Sequence, residues 1–466
     1  MDILIIFISL ALLMVIAYRG YSVIIFAPVC ALLAAVVGGF DLMPMYTEGF
    51  MFTMVGFIRV FFPLFLLGAV FGKVMEDSGS CKRIALTIVD YLGHKNCVLA
   101  IILTGIIMVY GGVSVHVVAF TIYPLAAALF KEADIPKRLI PCCFAIGAWT
   151  FAMDAIPGSP QIHNLIPTKY FGTTAYAAPM TGIIASIILF TCLYVYFQWR
   201  VKSLKTKGEG YGTGHTNEPD PEQFKDTSRL PSFGLSILPL IIVLVGNYGF
   251  TKWIQTWNPA MMKGFKTGAS LQSMVGIWAL VIALVIAILV CVALNWSRFQ
   301  GVKGGLKVGL QTAVMGSLLA IMNTGSEVGY GNVISMQEGF KTIAAWLTTI
   351  SFGNSPLLSE AIMINLLAGI TGSASGGLGI ALELMAPTYI EWANQSGLSL
   401  EIVHRIASMS SGGMDTLPHN GAVITLLMIC GLTHKQSYPD IFAVTVMKSL
   451  IAFLMTILVT LFPFIK

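Results

Sequence analysis

Charge is what this 466-residue chain has least of. Only 11% of its residues are Asp, Glu, Lys or Arg, against about a quarter in a soluble domain. Of the 27 basic and 22 acidic residues, eleven lie in the single segment 199–229. What remains is too poor in charge for a soluble globular enzyme or a disordered protein. The basic residues form no stripe, so the net charge of +5 does not mark a nucleic-acid binder. Catalytic motifs are missing too. There is no phosphate loop and no dinucleotide fingerprint in the right context, so ATP-driven transport is not encoded in this chain. H-E-x-x-H, G-x-S-x-G and G-x-G-D are absent, which argues against intramembrane metallo-, serine and aspartyl proteases. The eight cysteines contain no C-x-x-C and mostly sit in apolar runs, the pattern of buried free thiols. No enzyme, metal site or cofactor is expected.

What is there is apolar surface. Hydrophobic residues make up 56% of the chain and the mean hydropathy is +0.82. Runs long enough to span a bilayer, which takes about 20 residues, occur at 3–18, 21–40, 50–74, 175–198, 233–250, 271–294, 306–330 and 440–464. The first run follows Asp2, with no basic flank and no small-residue cleavage site. It reads as a membrane span and not as a signal peptide. The composition therefore predicts an all-α polytopic membrane protein.

Two longer regions do not fit simple spans. Residues 97–130 are largely apolar but are interrupted by Tyr110-Gly111-Gly112-Val113-Ser114. One helix of that length would measure about 51 Å, so the glycines predict a re-entrant hairpin with arms too short to cross. Residues 357–392 repeat the pattern around Gly372-Ser373-Ala374-Ser375-Gly376-Gly377. Each hairpin precedes a helix broken at Met-Asp-x-apolar-Pro, at Met153–Pro157 and Met414–Pro418. An offset of 261 residues relates Asp154 to Asp415, Pro157 to Pro418, Gly111 to Gly372 and Ser114 to Ser375. The chain reads as a duplication, with a first repeat at 1–198, a solvated cytoplasmic linker at 199–232 and a second repeat at 233–466. Each repeat is expected to cross five times, with one hairpin and one broken helix. Five is odd, so the second repeat enters the membrane inverted.

With the N-terminus outside, 18 basic residues of the loops fall inside and seven, among them Arg405, fall outside. This orientation obeys the positive-inside rule. It places the linker in the cytoplasm and both termini outside a bacterial inner membrane.

Four breaks meeting near the midplane form the expected substrate site. Half-helix N-termini suit a carboxylate, and exposed carbonyls and hydroxyls suit a cation or a polyol. The candidate substrate contacts are Gly111, Gly112, Ser114, Ser159, Gln161, Asn164, Ser373, Ser375, Gly376, Gly377, His419 and Asn420. Tight helix packing is the competing role for the glycines. Asp154, Asp415 and His163 are the candidate ion-coupling residues. For the two aspartates a second role stays open, that of N-caps for the half-helices that follow. His116 ranks lower, Glu327 and Glu383 are further candidate proton carriers without an acidic counterpart in the other repeat, and Arg59 in the third span is expected to snorkel to the outer interface, with pairing to an anion as its alternative.

Gly111-Gly112-Val113-Ser114, Ile135-Pro136-Lys137-Arg138-Leu139-Ile140-Pro141, and Met153 to Pro160 with Gln161, Asn164 and Ile166-Pro167-Thr168 resemble the gluconate permease (gluconate:proton symporter, GntP) family. The resemblance covers about 105–180 and is echoed at 365–440. It implies a secondary transporter of small hydroxy-carboxylates. The family's proline-rich loop reads more like His-Pro-Gly-Pro, whereas this chain has Pro157-Gly158-Ser159-Pro160. In that respect it looks closer to the 3-hydroxybutyrate permease branch. The resemblance extends to the ion transporter superfamily and implies a homodimer with a mobile transport domain. Proton symport is the expected activity. Sodium coupling, as in carboxylate or citrate transporters, and an anion channel are the alternatives.

Overall fold

The computed structural model describes residues 2–19, 21–215, 217–218, 230–264, 269–300, 305–418 and 420–462. Its described residues are helical apart from turns and one isolated bridge, Phe352 to Ser355. The first half begins with α1 (Asp2–Tyr18) and α2 (Val23–Val37). A continuous 36-residue helix follows, built of α3 (Leu42–Pro44), a π-helical turn (Met45–Met51) and α4 (Phe52–Asp77). Next come α5 (Ser80–Leu92), α6 (Cys97–Tyr110) and α7 (Val115–Glu132). The broken helix consists of α8 (Ile140–Ala148), α9 (Phe151–Asp154) and α10 (Ile166–Phe171), and α11 (Pro179–Thr206) closes the half. The second half runs through α12 (Phe233–Gln255), α13 (Leu271–Leu294), α14 (Trp296–Phe299), α15 (Gly305–Ser335) and α16 (Glu338–Thr349). Its hairpin is α17 (Leu357–Thr371) and α18 (Ala374–Gln395). Its broken helix is α19 (Leu400–Ser411) and α20 (Gly421–Cys430), and α21 (His434–Leu461) closes it. The order of three long elements, a short helix, a hairpin, a broken helix and a final long helix occurs twice.

Among the described residues seven helices are long and apolar enough to cross a membrane, or eight if the bent α5–α6 pair counts as one. α1 and α2 have 17 and 15 residues, about 26 and 23 Å at the helical rise; α1 matches its apolar run, whereas α2 is shorter than the run 21–40 that predicts it. The hairpin arms differ in the opposite sense. α7 has 18 residues and α18 has 22, longer than the apolar runs suggest. α18 continues through Glu391, Asn394 and Gln395, because polar residues end an apolar run without ending a helix. α5 is amphipathic, burying Cys81, Ile84, Ala85 and Val89 while Tyr91 stays exposed. It meets α6 at 110°, where Gly93 adopts φ 77°. These are features of a helix lying along a membrane surface.

Small residues let the helices close up. Ala27, Ala31, Ala34 and Ala35 of α2 are fully buried, and α2 packs on α15, as small-residue faces do between membrane helices. Phe7, Ile8, Val37, Phe52 and Ile187 are exposed, as expected of surface turned to lipid.

The connection between the halves is tied down where it is described. Its first residues continue α11 to Thr206. Tyr211 is buried, Arg138 holds Glu209 at 2.5 Å and Lys137 holds Glu218 at 2.9 Å. Asp440 of α21 binds Arg200 at 2.5 Å and Arg138 at 3.4 Å.

Candidate functional site

The two hairpin tips turn in different ways. In the first, Gly111 ends α6 and Gly112 turns the chain at φ 99°. Ser114 then caps α7, accepting from the Val117 N–H at 3.4 Å. In the second, Gly372 ends α17 at φ 64°, and Ser373 caps α18, accepting from the Gly376 N–H at 3.1 Å. By capping role Ser114 corresponds to Ser373, and not to Ser375 as the constant offset predicts. The second tip is shorter by two residues.

Each tip is held by an amide from the break of its own half. Gln161 donates to the Val109 carbonyl at 2.8 Å and to that of Val113 at 3.4 Å. Asn420 donates to the Gly372 carbonyl at 2.7 Å, while its Oδ1 caps α20 by accepting from Ala422 and Val423 at 2.6 and 3.0 Å. Among the described residues no hydrogen bond or ion pair joins one tip to the other.

The breaks themselves come together on a lysine. Lys448 of α21 is 4% exposed and reaches between them. Its Nζ lies 3.4 Å from Asp154 Oδ2 and 3.8 Å from Asp415 Oδ1, and donates to the Trp149 carbonyl at 2.5 Å. Trp149 ends α8, and Thr150 (φ −117°, ψ −140°) interrupts the helix before Asp154. Neither aspartate caps a helix. Asp154 ends α9, Asp415 lies in a short 3-10 turn, and the cap of α20 is Asn420. The capping role is therefore overturned, and both carboxylates share one buried cation instead.

α19 braces the first break. Arg405 is fully buried and donates to the carbonyls of Asp154, Ala175 and Ala177 and, at 2.7 Å, to Asn164 Oδ1. Ser408 donates to the Asp154 carbonyl at 2.7 Å. Four donor atoms on two side chains thus satisfy backbone that has left the helix, as non-helical chain at membrane depth requires. Placing Arg405 in an outer loop is wrong. The segment containing it holds too few apolar residues to read as buried, but its contacts are with backbone carbonyls, which hydropathy does not register.

The candidate contacts separate by burial. Ser159 donates to the Ala152 carbonyl at 2.7 Å, and Asn164 donates to Ser159 and Ala175, both at 2.9 Å. Both side chains are fully buried and hold the loop in shape. Gly111, Gly112, Gly376 and Gly377 are also buried. A Cβ on Gly377 would collide with the backbone of Ala368 in the facing arm. His163 is 9% exposed, and among the described residues its Nδ1 has no hydrogen-bond partner. Ser114, Gln161, Ser373, Ser375 and Asn420 are only half-buried and can reach a ligand. His419 lies outside the described residues. A cavity of about 410 Å³ opens elsewhere, lined by Arg59, Met261, Met262, Met274 and Trp278, so Arg59 turns toward a cavity near the 259–269 connection.

Residues 1–462 match the GntP family permease family. The chain belongs to the GntP permease family. It is 44% identical over 465 residues to the uncharacterized transporter YxjC of Bacillus subtilis, covering 97% of this chain and 98% of that one. It is 28% identical over 345 residues to the high-affinity gluconate transporter of Escherichia coli, covering 69% and 71%. Among solved structures, the YdaH transporter of Alcanivorax borkumensis aligns with a TM-score of 0.58 at 16% identity, covering 94% of this chain and 97% of that one. The likeness supports the fold of a multi-pass membrane transporter. Members of the family are permeases, not enzymes.

In this GntP permease the residue that sequence reasoning missed is Lys448. The signal was present. A lysine within an otherwise apolar final span is costly unless it has a partner, and Asp154 and Asp415 were candidates without a cation. Glu383, in contrast, is taken up by Tyr170 at 2.9 Å and Lys169 at 3.9 Å, joining α18 to α10.

Proposed function

We propose that this permease imports a small hydroxy-monocarboxylate, of the gluconate or 3-hydroxybutyrate type, together with protons. The observation that carries this is the single lysine shared by two buried aspartates where both broken helices meet. An incoming carboxylate competes with Asp154 and Asp415 for Lys448. Once it does, an aspartate losing its counterion is an isolated buried charge, and taking up a proton relieves that cost. Anion and proton then enter together, with His163 the other group able to exchange the proton. Ser114, Gln161, Ser373, Ser375 and Asn420 supply hydrogen bonds to the substrate's hydroxyls. His419, beside Asn420, belongs to the same contact set. The relative that transports gluconate supports the substrate class. The paired element order supports two repeats, the second inverted, the excess of basic loop residues on one side supports an N-terminus outside, and family resemblance supports a homodimer.

The test is uptake of labelled gluconate and 3-hydroxybutyrate into proteoliposomes under a proton gradient and, separately, a sodium gradient. Proton-driven accumulation with saturable counterflow is expected. Accumulation driven only by sodium contradicts the coupling ion, and conductance without counterflow contradicts a carrier.

A further inference from the structure

A second buried carboxyl group lies away from the lysine centre. α15 passes the tip of the second hairpin, with Val328 against Gly379 and Gly331 against Ile380. On the same face Glu327 is 3% exposed, and among the described residues its Oε2 has no hydrogen-bond partner. That oxygen is aimed at the start of α18, since any Cβ on Gly376 would collide with it. Hydroxyls surround the spot. Thr324 Oγ1 lies 3.2 Å from Ser375 Oγ, which is 3.5 Å from Ser373 Oγ.

Asp154 and Asp415 have Lys448, but among the described residues no cation pairs with Glu327. From α4 the side chains facing this stretch of α15 are Met54 and Ile58, and from α18 they are Ser375 and Ile380. The titratable groups further along the surface are Tyr330, bonded to Ser9 of α1 beside Cys30 of α2, and Glu48 in the π-helical turn. Glu383 on α18 is engaged by Tyr170 and Lys169. An isolated anion here would be costly, so the group takes its cation from solution.

We infer that Glu327, with Thr324, Ser373 and Ser375, forms a second ion site, separate from the Asp154–Lys448–Asp415 centre, that binds a proton while hairpin 2 is docked on α15. One carboxylate and three hydroxyls are a sparse ligand set for a metal cation. A proton needs neither extra ligands nor open space. Losing it leaves an anion in a closed contact, which favours separation of α18 from α15 and entry of water. Protonation of Glu327 thereby sets whether the second hairpin stays docked.

The inference rests on the transporter reading only in treating the hairpin as a moving part, and its test needs no substrate. Infrared difference spectra of the reconstituted protein between acid and alkaline pH report protonated carboxyl groups by their C=O stretch. Subtracting Glu327→Gln from wild type is expected to leave one titrating carboxyl band per chain. Ser375→Ala should move that band without removing it, and Asp154→Asn should leave it in place. Identical wild-type and Glu327→Gln spectra overturn the site. A Glu327 signal that follows added sodium at fixed pH overturns the proton. Should Glu327→Gln fail to fold, a carboxyl spectrum unmoved by Ser375→Ala contradicts the inference. Failure to transport gluconate would leave each of these outcomes readable.

Discussion

At the scale of single residues, the centre is defined by how few charges it holds and how closely they balance. Lys448 stands between two carboxylates, 3.4 and 3.8 Å away, with all three side chains buried. Removing one partner of a buried ion pair typically costs roughly 3–5 kcal/mol, because the other charge is stranded. Lys448→Met should therefore lower the melting temperature of the purified protein sharply and abolish uptake. Adding Asp154→Asn and Asp415→Asn to Lys448→Met should recover much of the melting temperature but none of the uptake. A single Lys448→Met variant that melts like wild type would show that the three side chains are not coupled. The two aspartates were legible because Met-Asp-x-apolar-Pro occurs twice. Their cation was signalled only by a lysine within an apolar span, because Lys448 has no counterpart that a repeat would reveal. Arg405 was misplaced for a related reason, since its role is to pair with carbonyls freed by a break some 250 residues away.

At the scale of elements, the breaks work because side chains replace the missing backbone bonds. Asn420 serves both α20 and the second hairpin tip, and Gln161 serves the first tip. Replacing a capping Asn by Ala typically costs about 1 kcal/mol. Asn420→Ala should exceed that, because it also frees the Gly372 carbonyl. The check is thermal stability in detergent, with Ser114→Ala, which loses one long capping bond, as the milder comparison. Gly377→Ala should be worse than either, since the added methyl meets the backbone of Ala368 and neither arm can yield locally. Hairpins, breaks and long helices were legible from apolar runs and paired glycines. Helix ends were less so, because α18 continues on polar residues and α2 stops short of its apolar run. The capping roles were visible in kind but assigned to the wrong residue, Asp415 in place of Asn420 five positions later.

At the scale of the molecule, two similar halves bring their breaks to one lysine near the end of the chain. The all-α membrane fold and the family were legible in composition and in the motifs at 105–180. Burial within each break was not, and it divides the candidate contacts into loop-shaping residues such as Ser159 and Asn164 and reachable ones such as Gln161 and Asn420. The central claim is that substrate and proton move together through the aspartate–lysine centre. Proteoliposomes loaded with a pH-sensitive dye test it directly when gluconate or 3-hydroxybutyrate is added outside. The account predicts interior acidification that accompanies uptake in the wild-type protein and vanishes in the Asp154→Asn, Asp415→Asn double variant. Uptake by that double variant with its pH dependence intact would contradict it.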